Sequence, residues 1–437
     1  MPVRGAGADW SVEDLPGGVR LVLAPMPGRS SVAASVLVRV GSRWEARRLA
    51  GISHFLEHIV FKGTERFPTS RAVSESIEGI GGVLNASTDK ELTTFWAKVP
   101  AERVDRALEV LFDLAFAPRI EPLEVERERR VVLEELSMYL DQPGDLVQMV
   151  FDDLVWGSHP LARDPAGTRR SLAAIGAAEL RAYRSQHYLA DRVVVALAGG
   201  FKPAALHRLV EQRLRQQPPG RVAADSSGSA GDTPSPLAAS ALAKVRRRRG
   251  EQVHVLAGVR CSSYLAPDRW ALDVLNTVLG EGMSSRLFLE LREHRALAYD
   301  VHSYAARYRD SGAFAIYLAT KAGQELQAVK AALAEVRRLV ERRLSPAELR
   351  RTQTQIEGRL RLQLESTSAV AEFLGHQAAL TGTVNSPEEV IAAIRGVTAA
   401  QVQELAAGLF RGVGWRLAAV GPGLDQDRLQ EAVGVAA

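Results

Sequence analysis

Two histidines and a glutamate interrupt an otherwise apolar run, Gly51-Ile52-Ser53-His54-Phe55-Leu56-Glu57-His58-Ile59-Val60-Phe61-Lys62-Gly63-Thr64. Read as a helix at about 100° per residue, the run sets His54 and His58 about 40° apart, one turn above the other, with Glu57 within about 100° of both. Imidazoles at i and i+4 can share one metal ion, and a carboxylate beside them can reach a water bound to it. The alternative is a pair of core histidines satisfied by hydrogen bonds.

A second stretch bears on that choice. From Glu124 the chain reads E-V-E-R-E-R-R-V-V-L-E-E-L-S-M-Y-L, with no Gly or Pro, which predicts a helix. Glu128 and Glu135 fall about 20° apart on it, and Val125, Val131, Val132 and Tyr139 lie within about 60° of Glu128. Two carboxylates on an apolar stripe face a large desolvation cost unless a cation or strong donors meet them. Glu134 points about 120° away from Glu128, toward solvent. Glu135 is thus the candidate third ligand and Glu128 its neighbour. If the stripe is rotated, both are surface residues instead.

H-x-x-E-H is the inverse of the H-E-x-x-H zinc helix. H-F-L-E-H, then F-K-G-T, then E-R-x-V-x-x-E-E starting 70 residues after the second histidine, resembles the pitrilysin/insulinase family of zinc peptidases. The likeness runs along nearly the whole chain. It points to the half-length bacterial members and to the mitochondrial processing peptidase. The resemblance implies a zinc metalloendopeptidase with one Zn2+ per subunit, held by His54, His58 and Glu135. Glu57 would be the general base and Glu128 a supporting residue. Asn85 and Ala86, in the stretch Val83–Val99 that reads as two short strands around a polar turn, would contact substrate by strand addition. An ordinary hairpin is the plain alternative there.

The second half has no H-x-x-E-H. Gly280 to Tyr299 stands in a corresponding place and resembles the family's second-half signature, in which an arginine and a tyrosine seven residues later assist the site. Here these are Arg292 and Tyr299, suitable donors to a tetrahedral oxyanion. Full-length family members are clam-like, and this chain resembles one half of them. The resemblance therefore implies a homodimer, with Arg292 and Tyr299 reaching the zinc from the opposite subunit. The substrates implied are short or unfolded polypeptides. A non-catalytic structural subunit, or the partner chain of a heterodimeric peptidase, is the rival reading.

Composition narrows the class. A chain of 437 residues with 46% apolar content has ample core for two or more domains. A net charge of +4 does not suggest a polyanion-binding surface, and Arg246 to Arg249, without interleaved aromatics, reads as a solvated strand entry rather than a nucleic-acid contact. The single Cys261 excludes an internal disulfide. The start shows no apolar signal core, and no run of about 18 apolar residues suggests a membrane span. A cytoplasmic bacterial enzyme is the expectation.

The elements that would position these residues follow from pattern. Strands are expected at 19–23, 32–40 and 192–200, and helices near 69–80, 101–115, 121–140 and 144–155. After a Pro/Gly/Ser-rich stretch, the second half repeats the order: a strand at 253–258, a helix at 268–279, a hairpin, helices near 322–343, 346–365 and 367–381, and a closing strand at 415–420. The fold class expected is α+β, two similar domains that are each a mainly antiparallel sheet flanked by helices, and the family resemblance implies a fold like that of the mitochondrial processing peptidase. The divisions are 1–215 for the zinc-binding domain, 216–250 for a flexible linker and basic run, and 251–437 for the domain carrying Arg292 and Tyr299.

Overall fold

The computed structural model describes residues 3–4, 10–215, 234, 237 and 240–434. Most of the expected linker lies outside the described residues. In the first half, β1 (Val3–Arg4), β2 (Ser11–Asp14), β3 (Arg20–Pro25) and β4 (Ser31–Val38) lead into α1 (Ile52–Val60) and α2 (Ser70–Glu78). The hairpin β5 (Val83–Thr88) and β6 (Thr93–Pro100) follows, then α3 (Val104–Phe116), α4 (Pro122–Asp141) and α5 (Pro143–Trp156). α6 (Arg169–Ala173), α7 (Ala177–His187), β7 (Val193–Gly199) and α8 (Pro203–Arg215) complete it.

The second half runs β8 (Leu242–Arg247), β9 (Gln252–Cys261), α9 (Arg269–Gly280), a π-helical segment (Phe288–His294), β10 (Asp300–Arg307) and β11 (Gly312–Lys321). It then gives α10 (Glu325–Glu341), α11 (Pro346–Gln363), α12 (Thr367–Leu380), α13 (Pro387–Gly396), α14 (Ala399–Phe410), β12 (Arg416–Gly421) and α15 (Gln426–Gly434). Helix starts have local causes. Thr69 caps α2 by accepting the Ala72 N–H at 3.1 Å, Ser366 caps α12 through Ala369 N–H at 3.1 Å, and proline opens α4 and α5.

The first sheet has the order β1-β2-β3-β7-β4-β6-β5, antiparallel except where β3 meets β7. β4 and β7 are buried along nearly their whole lengths because helices cover both faces. α3 packs on the β4–β6 side. Ala371, Leu374 and Ala378 of α12 pack with Leu37 and Ala196 on the other. β5 is the edge strand, in register with β6 through Ala86↔Phe95. Its turn is pinned by Gly41, where a Cβ would stand 2.2 Å from the Asp89 carbonyl oxygen.

The second sheet has the order β10-β11-β9-β12-β8, antiparallel except where β12 meets β8. Element for element this repeats β5-β6-β4-β7-β3. Val147, Phe151 and Val155 of α5 pack with Leu256, Ala315 and Ala418 on one face. Gly258 makes room for them: a Cβ there would lie 2.7 Å from the Phe151 ring and 2.3 Å from the Phe314 carbonyl oxygen.

The compact units are therefore not the contiguous stretches 1–215 and 251–437 expected from sequence. One unit takes the chain up to Leu136, the segment from Arg163, and Arg361–Ser386; the other takes Ser137–Ala162, the segment ending at Leu360, and the chain from Pro387. Each half sends one helix to the other half's sheet, because an apolar helix face belongs to whichever sheet face it covers. Leu242–Arg247, grouped with the linker by composition, is a paired strand. No helix among the described residues is long and apolar enough to cross a membrane.

Candidate metal centre

α1 is held at its N-terminal end. Gly51 takes φ +93° as its N-cap, and the first turn is met by Glu45, whose carboxylate oxygens accept the N–H groups of Gly51 at 2.7 Å and Ser53 at 2.9 Å. A carboxylate at a helix N-terminus satisfies orphan donors and complements the dipole. Arg163 donates to the Glu45 carbonyl, and the Ser53 and Tyr183 hydroxyls lie 2.8 Å apart. Arg43 and Glu91, both buried, pair at 2.7 Å and tie the loop before α1 to the β5–β6 turn. Ile52, Phe55, Leu56, Ile59 and Val60 are buried, so the histidines occupy the opposite, half-exposed face.

On α4 the buried stripe is Val125, Glu128, Val132 and Leu136. Val131 and Tyr139, placed by sequence near the stripe's centre, are instead 49% and 37% exposed. The stripe is rotated by the demand of the 3-4-4 spacing for one contiguous face. Glu128 thus lies inside it, Glu135 on its margin, and Glu134 in solvent.

Three ligand atoms meet between α1 and α4. His54 Nε2 is 3.2 Å from His58 Nε2, and Glu135 Oε2 is 3.7 Å and 3.3 Å from them respectively. A tetrahedral zinc about 2.0–2.1 Å from each donor keeps its ligands about 3.3–3.4 Å apart, so the spacing fits. Glu128 Oε1 lies 3.0 Å from His58 Nδ1. An ionised carboxylate only accepts, so Nδ1 carries the proton and Nε2 presents its lone pair. His54 Nδ1 is buried without a partner. Two imidazole nitrogens and a carboxylate oxygen converging this closely suit a cation.

Electrostatics point the same way. Burial, reinforced by the charge of His58, pushes His54 down to about 4 against the pull of Glu135, leaving it neutral and ready to ligate. Burial also opposes a proton on His58, but the Glu128 hydrogen bond and the carboxylates of Glu135, Glu128 and Glu57 outweigh it and raise the pKa. Burial raises Glu57 as well, with the Thr88 hydroxyl and His58 pulling it back. Glu57 Oε2 is buried and takes no hydrogen bond. A carboxyl shifted upward toward neutrality is suited to moving protons.

The remaining sequence-derived residues lie elsewhere. Asn85 and Ala86 sit on the edge strand β5, which packs beside α1. The Asn85 Oδ1 accepts the Ala86 N–H at 2.8 Å. Arg292 and Tyr299 belong to the second unit. The Arg292 guanidinium lies 5.0 Å from the Phe288 ring centroid and 5.6 Å from that of Tyr299, which is 72% exposed. In chain order Arg292 falls where the first unit has α2, and α9 takes the place of α1. Glu45 and Lys62 are not marked as site residues by any motif in the sequence. An acid shortly before a helix start and a cation just past its end were the available signals.

Comparison with known proteins agrees with this arrangement. The family model described as "Insulinase (Peptidase family M16)" matches residues 20–169, and that described as "Peptidase M16 inactive domain" matches residues 174–356. The chain is 34% identical over 431 residues to the uncharacterized zinc protease SCO5738 of Streptomyces coelicolor, covering 96% of this chain and 91% of that protein. It is 36% identical over 394 residues to the uncharacterized zinc protease YmxG of Bacillus subtilis, covering 90% and 94%. In fold it matches a crystal structure of a protease from Helicobacter pylori with TM-score 0.88 at 22% identity, covering 95% of this chain and 100% of that one. It also matches a "peptidase M16 inactive domain" from Pseudomonas fluorescens with TM-score 0.87 at 19% identity, covering 96% and 99%. With a histidine pair on one helix, an acid from another and relatives of this closeness over nearly the full chain, the protein belongs to the insulinase family of peptidases, M16.

Proposed function

We infer that the protein is a zinc metalloendopeptidase acting on short or unfolded polypeptides in the bacterial cytoplasm. The observation that carries this reading is the convergence of His54 Nε2, His58 Nε2 and Glu135 Oε2 within 3.7 Å of one another, beside the buried, unpartnered Glu57 Oε2. Zinc bound there supplies Lewis acidity that polarises a peptide carbonyl and acidifies water. Glu57 takes the proton of the attacking water and returns it to the leaving amine. Glu128 keeps His58 in the Nδ1–H tautomer. The substrate strand adds to β5 at Asn85 and Ala86, displacing the Asn85 side chain from the Ala86 N–H. Arg292 and Tyr299 donate to the oxyanion from the opposite subunit of a homodimer with two composite sites.

Glu57→Gln tests the chemistry. Zinc content stays at one per subunit while kcat falls by about 10²- to 10⁴-fold; near wild-type turnover would remove Glu57 from the mechanism. Mixing Glu57→Gln with Tyr299→Phe subunits tests the sharing, since only mixed dimers regenerate one complete site. The second reading, a non-catalytic subunit, draws on the "inactive domain" description of the model matching residues 174–356. That description concerns the half without H-x-x-E-H, so it is compatible with catalysis by the other.

A further inference from the structure

Glu128 has one partner on each carboxylate oxygen. Oε1 lies 3.0 Å from His58 Nδ1, and Oε2 lies 2.5 Å from Lys62 Nζ. Its side chain is 8% exposed, so the acid depends on these two contacts for its charge and its orientation. Lys62 stands just beyond α1, its backbone N–H bonded to the Ile59 carbonyl at 2.9 Å, and its side chain reaches across to α4. The same helix end therefore supplies both the imidazole that Glu128 orients and the cation that fixes Glu128.

We propose that Lys62 is a positioning residue of the metal site, acting through Glu128 to hold the His58 ring. The inference rests on the reading that His54, His58 and Glu135 bind zinc. Two effects of the ammonium oppose each other. It repels a cation held by His58, a long-range effect between charges of like sign. It also anchors the carboxylate that orients a ligating imidazole, and loss of such an anchor typically weakens metal affinity about 10- to 100-fold. Contact at 2.5 Å through an intervening carboxylate favours the anchoring effect.

The test is zinc affinity of the full-length protein by chelator competition at constant pH, with the cobalt(II) absorption spectrum as a second readout. Lys62→Met is expected to weaken zinc binding about 10- to 100-fold and alter the cobalt spectrum, Lys62→Arg to restore both, and Lys62→Gln to fall between. In a Glu128→Gln background Lys62→Met is expected to weaken zinc binding no further, because the anchoring route is already cut and only the like-charge repulsion is left to relieve. Wild-type or tighter zinc binding by Lys62→Met overturns the inference and leaves the zinc reading intact. So do losses from Lys62→Met and Glu128→Gln that simply add. If Lys62→Met does not fold, Lys62→Gln and its cycle with Glu128→Gln decide by the same criteria. Failure of the wild-type chain to bind zinc removes both readings together.

Discussion

Where β4 ends in the first unit, the chain enters α1, with two imidazoles and a carboxylate on its half-exposed face. Where the equivalent β9 ends in the second, it enters α9, whose buried positions are filled by residues such as Leu272, Val274, Leu275 and Leu279. The strand order and the single parallel pairing are the same in both units. Among the described residues, the group of His, Cys, Asp and Glu close enough to hold an ion is that of the first unit. One backbone plan thus serves two ends. The difference lies in a few side chains and in the buried acids and cations that hold them.

The largest expected effect separates the two units outright. His58→Ala abolishes stoichiometric zinc by metal analysis, whereas Arg292→Ala keeps zinc and lowers kcat by about 10²- to 10³-fold. Zinc lost from the Arg292 variant would erase this distinction between the units. A second expectation sharpens the electrostatics. In the metal-free protein the Glu128 hydrogen bond and the surrounding carboxylates raise the His58 pKa, so by NMR titration its ring should keep a proton to higher pH than it does in Glu128→Gln. Equal His58 titration in the two proteins would mean that Glu128 does not act on the ring.

Core changes probe the exchanged helices. Phe151→Ala on α5 is expected to cost about 3–5 kcal/mol, and Leu374→Ala on α12 about 2–5 kcal/mol. Hydrogen exchange should accelerate in β9–β12 for the first and in β3–β7 for the second; the opposite pattern would break the assignment of helices to sheets. The smallest effect concerns His187, which burial and then the Arg192 guanidinium lower from 6.5 to about 4. The unfolded chain binds this proton more readily, so its contribution to stability is full above pH 6.5 and is lost as pH falls toward 4. His187→Gln should flatten the decline of Tm across that window, and an unchanged slope would assign the acid sensitivity elsewhere.

Much of this was legible in the chain. The strands 32–40 and 192–200 show as apolar runs because both their faces are covered. α1 and α4 declare themselves by spacing, and the gap between their motifs carried the family likeness. Other features were not legible, for physical reasons. Val131 and Tyr139 are exposed although they lie close in angle to Glu128, because angular proximity does not reveal which side of a stripe meets the neighbour. Leu242–Arg247 hid in a basic, low-complexity context, since an edge strand needs no apolar run. Glu45 and Lys62 take their meaning from partners that only folding supplies. The exchange of α5 and α12 is invisible locally, because nothing in an amphipathic helix names the sheet it will cover.

That exchange bears on synthesis. The face of the first sheet that α12 covers is complete in its strands once β7 has been made, yet its cover ends at Leu380. At ribosomal speeds of about 5–20 residues per second, the intervening stretch takes roughly 10–35 s to emerge. During that interval Leu37, Ala196 and their neighbours have no native shelter. A nascent chain stalled before α12 should therefore be a preferred client for chaperones.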